Sequence, residues 1–120
     1  MTDPVLGAFV AAWEAGDPAG MAAQLDPDAV LLCDTGGRVD GPSDPVNGAE
    51  GISRWMLARF APGIHRLRPT RANTRPAVLV ELDGRLVGTL VARPDGDHLT
   101  MLWLTLNPEK LRPDLRGAQL

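Results

Sequence analysis

Residues 73–111, NTRPAVLVELDGRLVGTLVARPDGDHLTMLWLTLNPEKL, decide how the rest of the chain is read. Runs 78–82 and 86–92 are rich in Val and Leu and are split by Asp83-Gly84, a dipeptide suited to the left-handed backbone of a two-residue hairpin turn. A second reversal falls at Pro94-Asp95-Gly96-Asp97. The third run, 99–106, mixes Thr with large apolar residues and stops at Asn107-Pro108, where proline has no N–H to give to a ladder. Three strands joined by short turns form an antiparallel meander, and a meander that curves becomes either a cup for a small molecule or a plain scaffold.

Upstream, the pattern changes to helical spacing. Asp3-Pro4 supplies a cap and a proline at the first helical position, and Leu6, Phe9, Val10 and Trp13 then recur on one face until Gly16. Asp17-Pro18 repeats the start signal for a shorter helix through Met21 to Leu25, which Asp26-Pro27 stops. Residues 29–34 form an apolar run ending in Asp34, a first strand buried over most of its length. Residues 35–46 are a loop rich in Gly, Pro and Asp. Asn47 with Glu50 fits a capping box, and Ile52, Trp55, Met56, Arg59 and Phe60 continue as a third helix up to Pro62-Gly63. Residues 64–74 read as a polar strand carrying Pro69, and residues 108–111 as a turn of helix. The expected order is helix, helix, strand, loop, helix and four strands: an α+β fold in which helices pack on one side of a cone-shaped, curved antiparallel sheet.

The chain has 120 residues, enough for one core, so residues 1–112 are expected to form a single domain with 113–120 a loosely held tail. Twelve basic residues against fifteen acidic give a net charge of −3, which argues against nucleic acid as a partner. Arg66, Arg68, Arg71 and Arg75 do cluster, either as a local anion contact or as a solvated strand face. The single cysteine, Cys33, excludes an internal disulfide and a thiolate-rich zinc site, and its apolar neighbours suggest a buried, inert thiol. No segment has the length and apolarity to span a bilayer, and the N-terminus lacks a signal-like core, so a cytoplasmic location is expected. No His/carboxylate spacing suggests a metal site, and no cofactor is implied.

Three pieces carry a family resemblance: Phe9-Val10-Ala11-Ala12-Trp13-Glu14-Ala15-Gly16-Asp17, Asp34-Thr35-Gly36-Gly37-Arg38, and the closing Asn107-Pro108-Glu109-Lys110-Leu111. With this element order the chain resembles the SnoaL-like branch of the nuclear transport factor 2-like superfamily, which includes ketosteroid isomerases and polyketide cyclases. It is most similar to the SnoaL-like C-terminal extension of extracytoplasmic-function sigma factors. In those extensions the loop matching residues 34–38 lies near a contact with the DNA-binding parts of the same chain; Thr35 and Arg38 stand where glycine and lysine are usual. A chain of this length has no room for the sigma domains, so regulation of a sigma factor would be expected in trans.

The resemblance also implies chemistry. In isomerase-like members a carboxylate in an apolar cavity acts as general base while donors stabilise an enolate oxygen. Asp34 resembles that base by position, with His65 as a possible partner; the alternative is an aspartate that bonds the next backbone amides in a turn. Trp13 stands where the isomerases carry a tyrosine donor, yet this chain has no tyrosine, which favours Trp13 as a wall or core residue. Glu81 is expected to point outward with Leu79, Asp95 and Asp97 to serve their turn, and His98 to have no role. Phe9, Trp13, Trp55, Phe60 and Trp103 are the expected lining of an aromatic cone for an apolar small molecule. Met101 and Trp103 share a strand face that would line either the cavity or a sheet-to-sheet homodimer contact. The leading reading is a ligand-binding module; an isomerase, cyclase or hydratase using Asp34 is the alternative.

Overall fold

A computed structural model describes residues 3–36, 42, 44–72 and 74–106. The elements are α1 (Pro4–Glu14), α2 (Pro18–Ala23), β1 (Leu25–Asp34), β2 (Val46–Asn47), α3 (Ala49–Arg59), β3 (His65–Ala72), β4 (Arg75–Leu82), β5 (Arg85–Asp95) and β6 (His98–Thr105). The strands form one six-stranded sheet in the order β2-β1-β6-β5-β4-β3, curved and not closed into a barrel. The expected closing segment 107–111, the tail 113–120 and Arg38 lie outside the described residues.

The meander follows from its turns. Asp83 and Gly84 both have positive φ, 53° and 76°, and the pair Leu82↔Arg85 closes the hairpin behind them. That is the backbone a two-residue turn needs to match strand twist, and only Gly and Asn/Asp reach it cheaply. Bulges between Val80 and Glu81 and between Arg93 and Pro94 add local bend, which helps the sheet curl over the helices. Pro69 is tolerated because β3 is an edge strand with one side unpaired.

α1 starts as its sequence dictates. Asp3 Oδ1 accepts hydrogen bonds from the Val5 and Leu6 amides at 2.9 and 3.1 Å, and Pro4 occupies the first turn. Its buried residues are Leu6, Phe9, Val10 and Trp13. α1 packs on β3, β5 and β6, and α3 packs on β1. Between helices and sheet lies the core, built from Leu6, Phe9, Trp13, Met21, Ile52, Met56 and Phe60 on one side and Leu31, Val78, Val80, Leu90, Leu102 and Leu104 on the other.

Four expectations are corrected. The sheet is not wholly antiparallel: β1 runs parallel to β6, with Leu31↔Leu102 and Cys33↔Leu104 in register. A parallel pair needs a long crossover, and here the connection runs through β2, α3 and the other three strands, so no local signal announces it. β1 begins at Leu25 and α2 ends at Ala23, since Asp26-Pro27 is absorbed into the irregular start of the strand. A two-residue strand, β2, sits inside the expected loop. The Asn47–Glu50 capping box does not form; the helix is entered through Gly48 at φ 90°, with no side-chain cap, because Asn47 is paired with Val30 in the sheet.

Candidate functional site

Strand alternation decides which sheet face each candidate side chain occupies. Leu102 and Leu104 of β6 belong to the core, so Trp103 between them projects from the opposite face, away from the helices. Its neighbours in register are Leu32 and Val91, and the Arg75 guanidinium lies over its ring at 5.1 Å. Met101 shares that face. Trp103 is therefore separated by the thickness of the sheet from Phe9, Trp13 and Phe60, three side chains with no exposed surface at all.

Asp34 follows the same rule. Leu31 and Cys33 alternate toward the core side of β1, and Asp34 pairs with Thr105 on the other face. Its Oδ1 accepts a hydrogen bond from the Gly36 amide at 3.0 Å, and Gly36 has φ 63°. That is the turn geometry the alternative reading described. Next to it, burial pushes the Cys33 thiol above its ordinary value of 9.0; Arg59 opposes the push and the Asp34 carboxylate adds to it. A thiol so placed is a poor nucleophile at neutral pH.

Trp13 spends its donor on the backbone. The indole Nε1–H donates to the Phe60 carbonyl at 3.0 Å, inside the core. This bond ties the last turn of α1 to the end of α3. Around it the rings pack edge-on or tilted: Phe9 and Phe60 each stand 6.0 Å from Trp13, Trp55 6.3 Å from Phe60, and His65 5.4 Å from Phe60. Such contacts add roughly 0.5–1.5 kcal/mol each beyond the area they bury. Phe9, Trp13, Phe60, Ile52, Met56, Val78 and Val80 are all at zero exposure, so the space between helices and sheet is filled by the chain's own side chains.

Open space is found at the edge of this cluster. A hollow of about 370 Å³ lies between the C-terminal end of α1 and the α3–β3 connection, lined by Glu14, Pro62, Gly63, Ile64, His65, Arg66 and Leu67 with Phe60 behind them. Gly63 turns the chain here at φ 85°. Ile64 is 64% exposed, an unusual position for a large aliphatic side chain. The Ala61 carbonyl accepts from the His65 amide and lies 3.2 Å from His65 Nδ1. A carbonyl can only accept, so Nδ1 is the donor in this contact. A second hollow of about 150 Å³, between α2 and α3 beside Pro18, Ala22, Glu50 and Arg54, is below the usual size for a small-molecule site.

The structure thus brings together Phe9, Trp13, Trp55, Phe60 and His65, and leaves Trp103 and Asp34 on the far face of the sheet. Asp34 and His65 do not converge: β1 and β3 are separated by three strands and the two side chains project from opposite faces. Glu14, Ile64 and Leu67 line the hollow without having been singled out in the sequence, and Arg66 was noted there only as part of an arginine cluster. The available signal was an aliphatic residue directly after Pro62-Gly63, where a loop has no reason to carry one. Elsewhere, Glu81 faces outward and binds Arg68 at 2.9 Å, and His98 is exposed at the start of β6. Among the described residues no three His, Cys, Asp or Glu side chains are grouped to hold a metal, and no helix is long and apolar enough to cross a membrane.

The architecture has close counterparts among solved structures. The sigma factor SigJ of Mycobacterium tuberculosis, an extracytoplasmic function sigma factor, matches with TM-score 0.66 and 22% identity over 97% of this chain and 46% of that one. A nuclear transport factor 2-like protein of unknown function from Burkholderia xenovorans matches with TM-score 0.62 and 14% identity, over 93% of this chain and 88% of its own. A hypothetical protein with a ketosteroid isomerase-like fold from Catenulispora acidiphila, in complex with trimethylamine, matches with TM-score 0.58 and 16% identity over 100% and 95% of the two chains. No protein-family model matches the sequence, and no curated protein does. At these identities the likeness establishes the fold, which is nuclear transport factor 2-like as the sequence resemblance implied.

Proposed function

We propose that this chain is a small-molecule binding module whose site is the hollow at the α1 and α3–β3 corner. The observation that carries this reading is the composition of that hollow: exposed Ile64 and half-buried His65 beside Glu14 and Arg66, in a space at the lower end of the range for ligand pockets. Trp13, Phe9 and Phe60 act from behind as a rigid wall, and Trp55 braces Phe60. The Catenulispora protein of the same fold held a small organic molecule, which adds support from outside the chain. Trp103 and Met101, on the far face, belong to a different surface, the one through which a homodimer would form.

The test is a ligand-observed magnetic resonance screen of small ring compounds of mixed charge against the wild type, Ile64→Asp and Asp34→Asn. Ile64 is exposed enough that its replacement leaves the fold alone, so binding is expected to weaken about tenfold or more in Ile64→Asp and to stay unchanged in Asp34→Asn. Hits that respond to Asp34→Asn and ignore Ile64→Asp would move the site to the β1 rim.

A second reading keeps the sigma-factor likeness. This chain aligns with just under half of SigJ, and the reading is that it contacts a sigma factor. Co-purification of a tagged chain with sigma factors and polymerase subunits from its native cells checks it, and a clean preparation removes it.

A further inference from the structure

Arginines from three strands gather on the face of the sheet turned away from the helices. Arg66 pairs in register with Glu81, whose carboxylate points outward and binds Arg68 at 2.9 Å. Arg75 lays its guanidinium over the Trp103 ring, and Arg93 pairs in register with Met101, so all four belong to this outer face. Against them the face carries two carboxylates, Glu81 and, on β1, Asp34. Among the described residues Arg66, Arg75 and Arg93 have no ion pair. The whole chain stands at −3, so a surplus of cations on one face runs against its net charge. Between the charged ends the face is apolar: a row of neighbours crosses it through Ala77, Val91, Trp103 and Leu32, the last 38% exposed.

We propose that this outer face is the docking surface for an acidic polypeptide segment whose carboxylates are interrupted by apolar residues. The carboxylates take Arg66 at one end and Arg75 and Arg93 at the other, while the apolar residues cover Val91 and Trp103. The spacing selects a polypeptide. Arg66 and Arg75 stand at opposite ends of the β3–β4 ladder, about 20 Å apart along the strands, farther than one small anion reaches. A nucleic acid meets few cations here and the repulsion of an acidic chain beyond them. This is also the face a homodimer would use, but a second copy brings the same surplus of cations to it, so like charges meet. An acidic segment is the partner that answers both the charge and the apolar row.

Fluorescence anisotropy at low salt tests this with labelled peptides of about eight residues, long enough to span the two ends. One alternates Glu with Leu, one has Gln in place of Glu, and one has Lys. The Glu peptide is expected to bind about tenfold tighter than the Gln peptide or more, with the advantage fading as salt is raised, and the Lys peptide is expected not to bind. Arg66→Gln and Arg93→Gln should each weaken the Glu peptide about three- to fivefold, the worth of one exposed ion pair. Glu81→Gln should strengthen it by a similar factor because it frees Arg68, whereas Glu50→Gln, the same change of charge on α3, should leave it unchanged. Equal binding of the Glu and Gln peptides overturns the proposal, as does binding that ignores both arginine variants. Absence of binding by every peptide at millimolar concentration overturns it too. A single-stranded oligonucleotide binding tighter than the Glu peptide gives the face to a phosphate polymer instead. A dimer in sedimentation that Trp103→Asp dissolves and the Glu peptide does not displace gives it to a second copy.

Discussion

The corner around Trp13 and the rim around Asp34 each present a tryptophan, a titratable group and a chain reversal, and they come to opposite ends. At the corner, Trp13 is locked by its bond to the Phe60 carbonyl, His65 stands edge-on to the Phe60 ring, and the chain turning at Gly63 leaves a hollow. At the rim, Asp34 turns back onto the Gly36 amide and shares the far face of the sheet with Trp103, whose ring is covered by Arg75. A carboxylate at a strand end is thus no guide to a cavity by itself. What places it is the parity of the strand, and one residue either way would have turned Asp34 toward the core.

The sharpest way to break this contrast is to truncate one tryptophan in each region. Trp13→Ala removes a fully buried indole and leaves the Phe60 carbonyl without its donor, so it should cost about 3–5 kcal/mol in denaturant unfolding. Trp103→Ala removes a half-buried ring and one cation–π contact, for a loss of about 1–2 kcal/mol. Equal losses at the two sites would erase the distinction between core and outer face. Next in size is Trp13→Phe, which keeps most of the packing and isolates the hydrogen bond; an unsatisfied buried carbonyl should cost roughly 1–3 kcal/mol.

Asp34→Ala removes the acceptor of a turn hydrogen bond worth about 1 kcal/mol, and should leave binding at the corner intact. A stability loss as large as that of Trp13→Phe would mean that Asp34 is doing more than closing its turn. The smallest effect expected is at Cys33. Because burial raises its pKa above 9.0, the folded chain keeps the thiol proton to higher pH than the unfolded chain does. Its contribution to stability is therefore whole below about pH 9 and falls as pH rises further. Iodoacetamide should label native Cys33 slowly at pH 7.5 and faster only above pH 9. Rapid labelling at neutral pH would show a thiolate that the burial argument forbids.

Much of the fold was legible because its signals are local. Asp83-Gly84 fixes a turn, Asp3-Pro4 fixes a helix start, and Leu6, Phe9, Val10 and Trp13 mark one buried face. Non-local features were not legible. The parallel pairing of β1 with β6 joins segments about seventy residues apart, and β2 is two residues of sheet in a loop of turn formers. The face of Trp103 was hidden for another reason: residues 99–106 are nearly all apolar or Thr, so the two-residue period that separates faces is masked by composition. At the site, the aromatic residues were readable from helical spacing, whereas Glu14, Ile64 and Arg66 come together only through the way α1 ends beside the α3–β3 connection.

An amide chemical-shift map of the protein titrated with hits from the mixed-charge screen tests the central claim most directly. The corner site predicts shifts concentrated at Glu14, at residues 61–67 and at the ring-stacked neighbours of Phe60. Shifts concentrated instead at Leu32, Asp34, Thr35 and Thr105, with His65 unmoved, would contradict it and place the function on the rim.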